Sequence, residues 1–250
     1  MEQYLIVCPL VFLAGLVDAI AGGGGLISLP AYFLAGVPTY TALATNKLGS
    51  TMGTVVSTVR LAKNGYVNFK IAGFAAVASV IGAVAGANLT LMADETIVRH
   101  MMIAVLPVVA FYVLRNKDLG DSEKTNTKTE GQMAVLSFFI ALAMGIYDGF
   151  YGPGTGTFLI LLLCGVAKMD IKRAAGVTKV LNLSSNVAAL ITFFVNRRVD
   201  CRLGLAAGIF CIAGHYIGSG MVVSNGKKVI RPVILVVLAI LFVKLLEENI

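Results

Sequence analysis

Charge is scarce in this 250-residue chain: Asp, Glu, Lys and Arg make up 13% of it, against 58% hydrophobic residues. A soluble domain carries about a quarter charged residues, so a soluble fold is excluded. Cysteine is sparse too. Cys8, Cys164, Cys201 and Cys211 show no CxxC spacing and no histidine at ligand distance, which points to apolar packing in place of metal or redox chemistry. The two histidines, His100 beside a loop and His215 inside an apolar run, lack companions at ligand spacing and read as structural. No Gly-Lys-Ser/Thr follows a glycine cluster, so there is no nucleotide loop. No His/Cys/Asp grouping offers an activated nucleophile, which argues against an intramembrane enzyme; no cofactor is expected. The net charge of +7 comes with no nucleic-acid reading motif. The opening Met-Glu-Gln-Tyr lacks the basic region of a signal peptide, so the first apolar segment is expected to stay in the protein.

What the chain does have is long apolar runs and glycine. Runs fall near 4–21, 41–62, 69–92, 97–114, 132–150, 172–195, 203–224 and 229–246, and mean hydropathy is +0.87. A bilayer span needs roughly 20 apolar residues, so these runs predict an integral membrane protein. Two shorter runs, near 26–36 and 156–167, each follow a glycine cluster. Each either pairs with the helix before it as a re-entrant hairpin or crosses at an angle. The one long polar stretch, 115–131, reads as a connector.

The segments flanking that connector match each other. Asp18, Gly22 and Gly24 parallel Asp148, Gly152 and Gly154 at an offset of 130. Beyond a two-residue adjustment, Lys47 falls on Lys179, Asn64 on Asn196, Gly82 and Gly86 on Gly214 and Gly218, and Arg99 on Arg231, at 132. A constant offset across so many special residues argues for duplication. Charge counting then sets topology. If each half crosses an odd number of times, the clusters at 60–70, 115–128, 168–173 and 227–231 put 13 Lys/Arg on one side, against Arg99, Arg197, Arg198, Arg202 and Lys244 on the other. An even number gives at best 11 to 7. The positive-inside rule therefore favours inverted repeats with a cytoplasmic connector. The expected fold is all-α integral membrane: two inverted repeats of about four to five helical segments, 1–114 and 132–250, each with a glycine-broken helical hairpin, joined by 115–131.

Four ionisable residues lie well inside the expected helices: Asp18 and Lys47 in the first half, Asp148 and Lys179 in the second. Charge at the bilayer centre costs about 2.5 to over 10 kcal/mol, so each demands a partner or water. They form either two buried salt bridges locking the repeats, or lysines that face an anion with acids that neutralise or relay protons. Around the lysines, Asn46 precedes Lys47 and Thr178 precedes Lys179, while Asn182 and Asn186 follow at i+3 and i+7 on one helical face. That face either lines a wet cavity and donates to an oxyanion or glues helices together. At the breaks, Gly23, Gly24, Gly154 and Thr155 would open a helix inside the membrane, where unpaired N–H groups and the dipole favour an anion; the alternative is a tight hairpin turn.

Taken together these features resemble the sulfite exporter TauE/SafE family of membrane permeases. The resemblance is carried by Asp18 followed by Gly22-Gly23-Gly24-Gly25-Leu26-Ile27 and Pro30, by Gly36-Val37-Pro38, by Thr45-Asn46-Lys47-Leu48, and by Val67-Asn68. The second half repeats it with Asp148, Gly152-Pro153-Gly154-Thr155-Gly156, Gly176, Thr178-Lys179, Asn182 and Arg198-Val199-Asp200. It implies a multi-pass permease of the bacterial inner membrane for sulfite, sulfoacetate or a related sulfonate. The expected partners are a small anionic substrate and the lipid bilayer, with a homodimer admitted and no nucleic acid. A passive anion channel and a non-transporting membrane scaffold are the rival readings.

Overall fold

Several helices start where the sequence supplies a polar cap. Asn68, Thr129, Asp170 and Asp200 each turn a side-chain oxygen onto the free N–H groups of the helix that follows. Thr129 and Gln132 complete a reciprocal capping box. The computed structural model describes residues 1–94 and 127–247. Among the described residues it contains nine helices and no strand: α1 (Glu2–Ala21), α2 (Gly25–Leu34), α3 (Thr39–Lys63), α4 (Phe69–Met92), α5 (Glu130–Phe150), α6 (Thr155–Gly165), α7 (Ile171–Val195), α8 (Cys201–Asn225) and α9 (Lys227–Glu247). The expected run at 97–114, His100 and residues 115–126 of the connector lie outside the described residues.

The chain is an all-helical membrane protein. Five helices, α1, α4, α5, α7 and α8, are long and apolar enough to cross a bilayer. Their outer faces stay apolar: Leu13, Phe74, Ile81, Phe139, Ile191 and Ile209 are exposed, as lipid-facing side chains must be. With 25 residues α3 is as long, but Asn46, Lys47, Ser50, Thr51 and Thr54 make it more polar. At 10 and 11 residues, α2 and α6 rise about 15–17 Å, roughly half the hydrocarbon thickness.

Helix boundaries repeat along the chain. Adding 132 to the bounds of α3, 39–63, gives those of α7, 171–195. The backbone repeats as well: Gly36 (φ 72°) answers Lys168 (φ 59°), and Gly65 (φ 76°) answers Arg197 (φ 56°). Packing between the segments is exchanged in the same way. The first helix of each set lies on the fourth of the other, α1 on α8 and α5 on α4; the third lies on the other's fourth, α3 on α8 and α7 on α4. Small residues allow the closest of these approaches. Gly82 and Gly86 of α4 sit on the backbone of α5 beside Gly145 and Gly149, and Gly214 and Gly218 of α8 sit on α1.

Candidate functional site

The site is built from the two glycine breaks and the middles of α3 and α7. Gly22 ends α1 in the left-handed region (φ 78°), its N–H donating to the Asp18 carbonyl at 2.8 Å, and α2 restarts at Gly25. Gly154 (φ 79°) opens α6 after α5 stops at Phe150. Only glycine takes these conformations without steric cost. Neither α2 nor α6 has a side-chain cap. The breaks rest on each other. A Cβ on Gly22 would fall 2.7 Å from the Thr157 nitrogen, one on Gly25 would fall 2.9 Å from Pro153 Cα, and the Thr157 hydroxyl donates to the Ala21 carbonyl at 2.7 Å.

Because an acid occupies the last turn before each break, this contact carries each acid to the other segment's lysine. Lys47 of α3 places Nζ 2.7 Å from Asp148 Oδ2 and donates to Asn186 Oδ1 at 3.0 Å. Lys179 of α7 places Nζ 3.1 Å from Asp18 Oδ2 and also donates to the Asp18 carbonyl. The acid–lysine pairs therefore cross between the halves rather than closing within each. Lys47 and Lys179 are 4% and 1% exposed, so both pairs stand in the interior. The side chain of Asp18 keeps 17% exposure against 4% for Asp148, making it the more exposed acid.

The other residues singled out from sequence divide into two groups. Asn186 binds Lys47 directly. Asn182 lies one turn beyond Lys179 against the second break, where a Cβ on Gly156 would fall 2.9 Å from its Nδ2. The buried Asn182 Oδ1 and Thr178 Oγ1 have no hydrogen-bond partner among the described residues. Gly24 turns its N–H toward Asp18 Oδ1 at 3.4 Å. The rest are supporting parts: Asn46 is half-buried, Gly23 faces the Val237 side chain, Gly154 lies under the Phe158 ring, and the Thr155 hydroxyl closes its own turn on the Gly152 carbonyl at 2.6 Å.

Two contributors stand outside the site residues expected from sequence. Gly152 lies directly under the first centre, where a Cβ would stand 3.1 Å from both Lys47 Nζ and Asp148 Oδ1. His215, read as structural, places Nε2 3.4 Å from Asp18 Oδ2 and Nδ1 3.0 Å from the Ser57 hydroxyl. The available signal was asymmetry: at the 132 offset His215 falls on Ala83, and Ser57 on Ala189. Among the described residues no group of three or more His, Cys, Asp or Glu side chains could hold a metal ion.

A lipid-facing exterior around buried, crossed charge pairs at interrupted helices defines a multi-pass membrane protein of the transporter class. The chain belongs to the sulfite exporter TauE/SafE family, whose pattern matches residues 7–245. It is 34% identical to a probable membrane transporter protein, ORF9, of Sinorhizobium sp, over 95% of this chain and 90% of that one. It is 30% identical to the probable membrane transporter protein YfcA of Escherichia coli K12, covering 95% and 87%. A probable membrane transporter protein of Bacillus subtilis, YdhB, is 23% identical over 94% and 97%.

Proposed function

We propose that the chain carries a small oxyanion, sulfite or an organosulfonate, across the bacterial inner membrane by alternating access. The reading rests on one observation: each half contributes a buried ammonium group whose partner is a carboxylate of the other half. A carboxylate presents two oxygens much as a sulfite or sulfonate does, so Asp148 and Asp18 stand where substrate oxygens would go. An arriving anion competes with the acid for the ammonium, and release restores the pair. Buried pairs of this kind contribute little net stability, because desolvation offsets the attraction, which suits a contact that must open. Asn186 accepts from Lys47, and Asn182 and Thr178, near Lys179 along α7, carry buried oxygens unpartnered among the described residues. Asn46 precedes Lys47 along α3, and the starts of α2 and α6, which have no side-chain cap, supply positive dipole ends at the breaks.

The crossing of the pairs couples the two segments: displacing Asp148 from Lys47 frees α5 from α3. Rocking of the halves, inverted relative to each other, then exposes the site to one face at a time. The test is uptake into proteoliposomes of sulfite, sulfonates, thiosulfate and carboxylates. A transporter shows saturable flux and counterflow exchange for the sulfur oxyanions, and loses both in Lys47→Met and Lys179→Met. Flux that never saturates and shows no counterflow identifies a channel, and no flux of any anion removes the reading.

A further inference from the structure

The two lysine centres are not copies of each other. At the 132 offset Lys47 answers Lys179, but Asn186 answers Thr54, Ala83 answers His215 and Ala189 answers Ser57. Both centres hold one ammonium and one carboxylate, so with a neutral imidazole the four charges sum to zero. A monoanion entering this interior leaves it at minus one, and an unbalanced charge at membrane depth is costly. One proton restores neutrality.

His215 is placed to hold that proton. It is 1% exposed, and both ring nitrogens face oxygen atoms. The Ser57 hydroxyl, with a single hydrogen, lies 3.0 Å from Nδ1 and 3.1 Å from the Thr54 carbonyl, and can donate to one of them at a time. Two hydrogen arrangements satisfy these atoms. With a neutral ring, Ser57 donates to Nδ1 and Nε2–H points at Asp18. With a charged ring, Nδ1–H donates to Ser57, Ser57 donates to Thr54, and Nε2–H still points at Asp18. A second proton therefore needs only a turn of one hydroxyl. Asp18 is the more exposed partner of the pair, at 17% against 1% for Lys179.

The groups facing the imidazole are Asp18 from α1, Ser57 and Thr54 from α3 and, across Asp18, Lys179 from α7. Arg60 of α3 is turned onto the Tyr216 carbonyl and ring. Lys227, Lys228 and Arg231 belong to the start of α9, beyond the end of α8 at Asn225, about 15 Å along the helix from position 215. On α8 itself Cys211 lies one turn away.

We infer that His215 is the proton-binding site of the cycle and that the anion crosses together with H⁺. The inference rests on the anion-transport reading above. Once charged, His215 shares Asp18 with Lys179, which loosens the hold of that carboxylate on the ammonium and raises the positive charge offered to the anion. By linkage, the anion raises proton affinity by the same factor. One proton and one anion enter from one face and leave at the other.

The test uses the full chain in liposomes with the membrane potential clamped at zero. Methanesulfonate is the probe, a monoanion that does not titrate near neutral pH. Counterflow at equal pH reads anion exchange, and accumulation under a one-unit inward proton gradient reads coupling. The expected wild-type accumulation is about tenfold for one proton per anion, and the ratio of accumulation to exchange falls to about one-tenth of that in His215→Gln. Exchange without accumulation in the wild type, or an unchanged ratio in His215→Gln, overturns the inference while leaving anion transport standing. Absence of exchange overturns both. Should His215→Gln fail to fold, Ser57→Ala decides: losing the acceptor for the charged ring moves the half-maximal pH of accumulation downward, and an unmoved profile overturns the assignment.

Discussion

Lys47 and Asp148 lie 2.7 Å apart although 101 positions separate them and each belongs to a different segment of the duplicated pattern. Lys179 and Asp18 repeat the exchange at 3.1 Å. Separating one segment from the other at either centre would break a buried ion pair.

That arrangement makes the single and double variants of the first pair informative. Lys47→Met leaves Asp148 buried and uncompensated, a loss of about 3–5 kcal/mol for a broken interior pair. Lys47→Met with Asp148→Leu removes both charges and is expected to recover most of that loss. Thermal unfolding in detergent reads the difference, and neither variant should carry anion. Equal destabilisation of the single and double variants would mean the pair is wet and weakly coupled.

Asn182 offers a test of charge selection at a residue that belongs to neither pair. Its Oδ1 is buried and unpartnered among the described residues, and its Nδ2 lies against the second break, one turn beyond Lys179 along α7. Asn182→Asp adds a negative charge beside the proposed anion; at about 4 Å and an effective dielectric of about 20 that repulsion is about 4 kcal/mol. Uptake should fall more than about 100-fold, whereas Asn182→Ser keeps a polar group and should stay within about tenfold of wild type. Similar losses in both would remove Asn182 from the anion path.

The helices were legible from hydropathy because each lipid-facing segment must be apolar along its length, and the bounds of α4 coincide with the expected 69–92. The four buried charges were legible for the converse reason, as isolated breaks in apolar text. What the linear pattern could not convey was which acid meets which lysine. That depends on Gly22 and Gly156, 134 positions apart, removing the side chains that would hold the two breaks apart. His215 escaped for a related reason: a lone histidine in an apolar helix shows its role only when α1 and α3 bring Asp18 and Ser57 to its two nitrogens.

Two glycines with nearly the same backbone separate that contact from simple strain. Gly65 (φ 76°) has open space where a Cβ would go, whereas Gly22 (φ 78°) faces the backbone of Gly156 and Thr157. Gly65→Ala should cost about 1 kcal/mol, the left-handed penalty alone. Gly22→Ala adds an overpacking cost of about 1–3 kcal/mol and should stop transport by forcing the breaks apart. The measurements are thermal unfolding and counterflow on the two proteins side by side. Equal effects would show that the two breaks need not touch.

The inversion of the halves can be read directly from the loops after α3 and α7. Asn64 and Asn196 end these helices at equivalent positions, so in inverted repeats they face opposite sides of the membrane, and in parallel repeats the same side. Charge counting places Asn64 with the cytoplasmic connector and Asn196 outside, although Arg197, Arg198 and Arg202 cluster there against the positive-inside rule. One of these cations has another engagement: the Arg198 guanidinium stands 5.7 Å from the centre of the Tyr40 ring, within cation–π range, so it serves packing between α3 and the loop after α7. With the four native cysteines replaced, Asn64→Cys should react with a membrane-impermeant maleimide only in inside-out vesicles, and Asn196→Cys only in intact cells. Labelling of both from one side would make the repeats parallel. The crossed pairs would survive that result, but rocking of inverted halves about a shared centre would not.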